Sequence, residues 1–197
     1  MPDAAEITVA ACPGWSVKDV IAHLVGIIED VNAGRLTGPP PAEQTADEVE
    51  RHRADTMDDL LAAWSEFTPG FEELITQMRI WPGLLDVLSH EHDTRAALGR
   101  PGARDDRGVQ LGAEQLVAAL AAPVEVVITP DPADGEGDAS NDPDAPLVLR
   151  ATAFEVFRLR LGRRTREQAR QLAWSRDPGD VLDQLFIFGP TTTALGE

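Results

Sequence analysis

The stretch from Ser16 to Gly34 leaves the chain few folding options. Val17, Val20, Ile21, Leu24, Ile27, Ile28 and Val31 recur at steps of three and four residues. That period places them on one stripe of a helix, which must be buried against other helices or a sheet. Ser16 followed three positions later by Asp19 is a capping-box-like start, and Asn32-Ala33-Gly34 is a stop. A histidine, His23, sits inside the stripe region between Ala22 and Leu24.

A second helix is expected over the run from Trp81 to Pro101. It opens at Pro82-Gly83 and closes at Gly99 with Pro101 beyond. Asp86 and His90 are four residues apart in it, a net rotation of about 40°, so carboxylate and imidazole share one face. Asp93 lies on the same side, whereas His92 is expected to point away and, like His52, to be exposed, with His92 the reserve ligand should Asp86 prove too short. A carboxylate and an imidazole stacked this way make two-thirds of a divalent-metal site. An antiparallel partner helix would make His23 the third ligand. Asp19 or Asp93 could then accept the second ring N–H of a histidine. The plain alternatives are a helix-surface ion pair for Asp86 and His90 and a core histidine for His23.

The remaining chain divides near residue 122. Residues 43–67 read as a helix with a bend or loop near Thr56, after the stiff connector at 38–41. Pro69-Gly70 reads as an interruption before a short helix over 71–79, and a further helix is expected at 109–121. From Pro123 the period changes. Val124–Thr129 and Leu147–Ala151 read as paired strands, separated by an acidic Pro/Gly-rich loop at about 130–145 expected to be mobile. Helices at 152–161 and 165–173 and an apolar segment from Val181 to Gly189 follow. The expectation is therefore a mainly α chain: a helical bundle over 1–122, then a small α/β region over 123–197.

Composition narrows the function. There are 34 acidic against 17 basic residues and a net charge of −17, which argues against nucleic acid or an anionic membrane as partner. The single cysteine, Cys12, permits no internal disulfide and fits a reducing cytoplasm; it reads as a packing residue, as do Trp15 and Trp64. The N-terminus lacks a signal-peptide pattern, and no window has the roughly 18 apolar residues of a membrane span.

The segment Cys12-Pro13-Gly14-Trp15-Ser16-Val17-Lys18-Asp19-Val20-Ile21-Ala22-His23-Leu24 resembles the opening of the mycothiol-dependent maleylpyruvate isomerase family. So does Asp86-Val87-Leu88-Ser89-His90-Glu91-His92-Asp93 with the later Gly99-Arg100-Pro101. The resemblance covers roughly residues 8–122 and implies a DinB-like four-helix bundle with His23, Asp86 and His90 as metal ligands. Asp86 stands where the family usually has glutamate, so its carboxylate reaches about 1.5 Å less far. The resemblance further implies a divalent metal, Zn by default with Ni or Fe as alternatives, and mycothiol or a similar low-molecular-weight thiol. The metal-activated thiol would attack an electrophilic substrate, as an isomerase or a thiol S-transferase. Arg158, Arg163 and Arg164, in a basic stretch of an acidic chain, are expected to bind cofactor or substrate carboxylates, or else to form a solvated face. The competing expectation is a non-catalytic DinB-like metal-binding or scaffold protein. A homodimer is left open.

Overall fold

The computed structural model describes residues 3–36, 41–78, 81–135 and 145–197. The connector at 38–41 lies almost wholly outside the described residues, and so does most of the acidic loop, of which only a 3-10 turn at Pro132–Gly135 is described. The chain forms two compact units, Met1–Pro101 with Glu197, and Gly102–Gly196.

The first unit contains α1 (Val17–Asn32), α2 (Ala42–Arg51), α3 (Met57–Met78) and α4 (Trp81–Ala97). α1 begins as its sequence predicts. The Ser16 hydroxyl accepts from the Asp19 backbone N–H, and the Asp19 side chain accepts from the Ser16 N–H. Its stripe is buried against α3, α2 and α4. Val9, Val17, Val20 and Leu24 form one core cluster, with Trp15, Trp64 and Val87 packed on it. Ala22, Val25 and Leu60 form a second.

The break expected near Thr56 is present and divides residues 43–67 between two helices, α2 and α3. Thr56 starts the second of them with a reciprocal pair: its hydroxyl accepts from the Asp59 N–H, and its own N–H donates to the Asp59 carboxylate. Pro69-Gly70 does not interrupt α3, which runs through it. Proline removes one N–H from the ladder. The Ser65 and Thr68 hydroxyls bond back to the carbonyls of Leu61 and Trp64 in the same turns, and Phe71, just beyond, is buried. Phe71 meets α4 at Gly83, where a Cβ would lie 2.8 Å from its ring. Anchoring the second half of the helix outweighs the local cost of the proline.

α2 approaches α1 closely because of Gly26. A methyl there would sit 2.7 Å from Glu48 Cβ and 2.9 Å from its Cγ, inside contact distance. Gly26→Ala is expected to cost about 1–3 kcal/mol by forcing the helices apart, despite alanine's better helix propensity. Urea denaturation of the variant checks this; an unchanged or higher midpoint would mean that α2 moves aside freely.

The same helix pair is tied by Asp30, which is 2% exposed. Arg51 donates to both its oxygens at 2.8 and 3.2 Å, Arg35 to Oδ1 at 2.6 Å, and Gln44 to Oδ2 at 3.0 Å. Burial would raise the Asp30 pKa, but these donors bring it down from 3.8 to about 2. A depressed carboxyl stabilises the fold above its unfolded pKa and ceases to as pH falls toward the folded one. We therefore expect about 2 kcal/mol to be lost between pH 4 and 2. Parallel pH series of unfolding for wild type and Asp30→Asn should converge across that window; curves that stay parallel would remove Asp30 as the cause.

In the second unit, α5 (Arg107–Ala118) packs on α6 (Ala153–Arg160). The helix expected to complete the bundle thus groups with the C-terminal part, and the divide falls at Pro101 rather than near residue 122. β1 (Glu125–Ile128) pairs with β2 (Val148–Ala151) in parallel, Glu125 opposite Val148. β2 also pairs antiparallel with β3 (Ala173–Trp174), whose first residue the sequence pattern assigns to the end of a helix. α7 covers only Arg166–Arg170. The apolar segment near the C-terminus forms a 3-10 turn over Gly179–Leu185 that buries Leu182 and Leu185.

A candidate metal centre between α1 and α4

α4 turns an unusual face inward. Its buried residues are Ser89, His90, His92 and Asp93, all polar. Burying such groups is costly unless they are paired or bound. His92 is 4% and His52 7% exposed, so both are internal, against expectation. His52 lies between Asp55, at 2.8 Å from Nδ1, and Glu29, at 3.2 Å from Nε2.

The structure brings His23, Asp86 and His90 together. His23 Nε2 lies 3.5 Å from Asp86 Oδ2, and His90 Nε2 lies 3.6 Å from Asp86 Oδ1. The two imidazoles meet edge to face with centroids 5.3 Å apart. Both separations exceed a good hydrogen bond. They match the edge of a tetrahedron around Zn²⁺, about 3.4 Å for ligand bonds near 2.1 Å. One donor atom from each of the three falls within 4.8 Å of the others. The donor set, two imidazoles and a carboxylate, suits Zn²⁺, Ni²⁺ or Fe²⁺, so these residues fit such an ion. The shorter Asp86 reaches both rings.

Each ring is held from behind. Glu48 Oε2 accepts from His23 Nδ1 at 2.8 Å, and Asp93 Oδ2 lies 3.1 Å from His90 Nδ1. Glu48 and Asp93 are 0% and 1% exposed. A carboxylate behind an imidazole fixes the tautomer and presents Nε2 forward. Asp93 occupies the position its spacing predicts. Asp19 does not serve His23, because it is committed to the α1 cap. That role falls to Glu48, which sequence reasoning missed. The signal for it was Gly26, a glycine inside a strongly apolar helix, which marks a close approach. Burial works against a charged His23 ring, but the Asp86 and Glu48 carboxylates overcome it and hold the pKa up to about 9. The site therefore attracts positive charge.

Trp15 lies 5.2 Å from His23, ring to ring. Asp86 is the most accessible of the three candidate ligands, its side chain 34% exposed against 5% and 7% for the histidines. A small molecule would approach from the Asp86 side. A cavity of about 320 Å³ in the same unit is lined by Trp15, Lys18, Asp19 and Arg53 among others, and by none of the three ligands.

Residues 2–87 match the mycothiol maleylpyruvate isomerase N-terminal domain. The match supports the resemblance to that family for this part of the chain, and the helical unit described above agrees with its DinB-like fold. The match spans α1, α2, α3 and Asp86, while His90 and Asp93 lie just past its end. No curated protein and no solved structure matches the chain.

The arginines proposed for cofactor binding are mostly internal to the second unit. Arg158 is 0% and Arg164 6% exposed. Arg164 makes a bidentate pair with Glu155, both bonds 2.8 Å, and lies over the Phe154 ring. Arg163 is half-buried and donates to the Leu161 carbonyl. Arg158 and Arg164 are therefore not part of a solvated basic face, and Arg164 is tied to α6 through Glu155. No helix among the described residues is long and apolar enough to cross a membrane.

Proposed function

We propose that this chain is a metal-dependent enzyme that uses mycothiol or a similar low-molecular-weight thiol, acting as an isomerase or a thiol S-transferase. The observation that carries the reading is the convergence of His23, Asp86 and His90, with both rings held from behind by buried carboxylates, in a domain of the mycothiol family. His23, Asp86 and His90 would hold the ion. A bound divalent cation lowers the pKa of a coordinated thiol, so that a thiolate exists at neutral pH. The protein's own part is positional. Glu48 and Asp93 orient the two imidazoles, Trp15 walls the His23 side, and half-exposed Asp86 marks the entry.

The test begins with elemental analysis of tag-free protein loaded with Zn²⁺, followed by calorimetric titration with mycothiol. About one Zn²⁺ per chain and mycothiol binding that needs the metal are expected, then thiol-dependent isomerisation of maleylpyruvate or transfer to a halogenated electrophile. Absence of metal after loading would sink the proposal. Metal without thiol binding would favour the second reading, a metal-binding domain without catalysis.

A further inference from the structure

His90 has a second face. Its Nδ1 lies 3.7 Å from Cys12 Sγ and 3.1 Å from Asp93 Oδ2, and Cys12 Sγ lies 3.8 Å from that same Asp93 oxygen. Cys12, His90 and Asp93 thus form a second set whose donor atoms fall within 4.8 Å of one another. For a tetrahedral ion with bonds of about 2.3 Å to sulfur and 2.0–2.2 Å to nitrogen or oxygen, the edges are roughly 3.6 Å to sulfur and 3.4 Å between the others. The observed triangle is close to this without rearrangement. The cysteine is also held in place. Its N–H donates to the Val9 carbonyl and its carbonyl accepts from the Trp15 N–H, both at 3.0 Å.

We propose that Cys12, His90 and Asp93 form an alternative metal site that selects strongly thiophilic ions such as Cd²⁺. It shares His90 with the set formed with His23 and Asp86, and the two exclude each other. With an ion on Nε2, the ring keeps its proton on Nδ1 toward Asp93. With an ion on Nδ1, the ring keeps it on Nε2, facing Asp86 at 3.6 Å. Binding on the cysteine side releases the thiol proton to solvent and forms one metal–sulfur bond, with no change of oxidation state. Thiolate favours soft ions and carboxylate harder ones, so the identity of the ion decides which side of His90 is used. The inference does not need the catalytic reading, because the cysteine-side set contains neither His23 nor Asp86.

The test is titration of tag-free, metal-free wild-type protein with Cd²⁺, followed by thiolate-to-metal charge-transfer absorption in the ultraviolet. Cys12 is the single cysteine, so any such band belongs to it. A band saturating at about one Cd²⁺ per chain is expected. It should be lost in Cys12→Ser and in His90→Ala and kept in His23→Ala. No band in the wild type, or a band that survives His90→Ala, overturns the proposal. So does loss in a His23→Ala protein whose circular dichroism is unchanged. If His23→Ala fails to fold, alkylation of wild-type Cys12 decides: Cd²⁺ must block it, and unimpeded alkylation overturns the site. Zn²⁺ stoichiometry in Cys12→Ser separates the two readings, since the Asp86-side set predicts about one ion retained there.

Discussion

Replacing His90 with alanine is expected to abolish stoichiometric metal binding. The imidazole is the one group common to both ligand sets, with Nε2 toward Asp86 and Nδ1 toward Cys12 and Asp93. Its removal leaves at most one nitrogen and one carboxylate on one side, and a thiol and a carboxylate on the other. Loss of a carboxylate that merely orients a ligand typically weakens metal binding 10- to 100-fold. Loss of the ligand itself should exceed that, so at least a hundredfold weaker Zn²⁺ affinity is expected, with thiol-dependent turnover falling in parallel. The measurement is competition for Zn²⁺ against a chromophoric chelator, beside His92→Ala. His92 is buried on the same helix but belongs to neither set, so its variant should keep the metal even if its melting temperature drops. Equal retention by wild type and His90→Ala would place the metal elsewhere or nowhere.

Glu48→Ala is expected to be the most damaging single change outside the ligands. Glu48 is fully buried, and its Oε2 takes the His23 Nδ1 hydrogen at 2.8 Å. Breaking a buried pair by removing one partner costs about 3–5 kcal/mol, because the other charge is left behind. Asp86 still faces His23 from the other side, so the lower end, about 3 kcal/mol, is expected. Zn²⁺ affinity should fall 10- to 100-fold as His23 loses its orientation. Glu48→Gln separates the two effects. It keeps the volume beside Gly26 and can still accept a hydrogen bond, so it should recover part of the stability and less of the affinity. Denaturant unfolding of the metal-free proteins together with Zn²⁺ titration reads both quantities. If Glu48→Ala unfolds like wild type, the carboxylate behind His23 is an ordinary surface-type pair.

Much of this was legible in the sequence where local chemistry and burial agree. The Ser16–Asp19 box, the α1 stripe and the four-residue spacing of Asp86 and His90 needed no tertiary information. What was not legible depended on contacts distant in sequence. Proline inside α3 was tolerated because Phe71 anchors the turns beyond it. His92 was expected to be exposed because its spacing turns it away from His90, and His52 likewise, yet each packs internally. The parallel pairing of β1 with β2 depends on a crossover that short β-branched runs do not encode, and two-residue β3 carries no period at all. The arginines from 158 to 164 looked like a charged surface because composition counts charges without showing which side chains are covered. Glu48 was the costliest omission. An acid in a weakly patterned helix gives no sign of facing inward, and only the glycine opposite it does.

The placement of the candidate ligands has a mechanical consequence. His23 and Asp86 are about 60 positions apart in the sequence, on helices whose packing otherwise rests on apolar contact and on the pairs around the two rings. An ion joining them would act as a removable staple. A covalent tie across a loop of that length restricts the unfolded chain by about 4 kcal/mol, and an ion of sufficient affinity imposes a similar restriction while it stays bound. A chain with one cysteine cannot tie itself with sulfur. Its resistance to heat and proteases would then follow the supply of free metal, and a chelator would be enough to loosen the bundle.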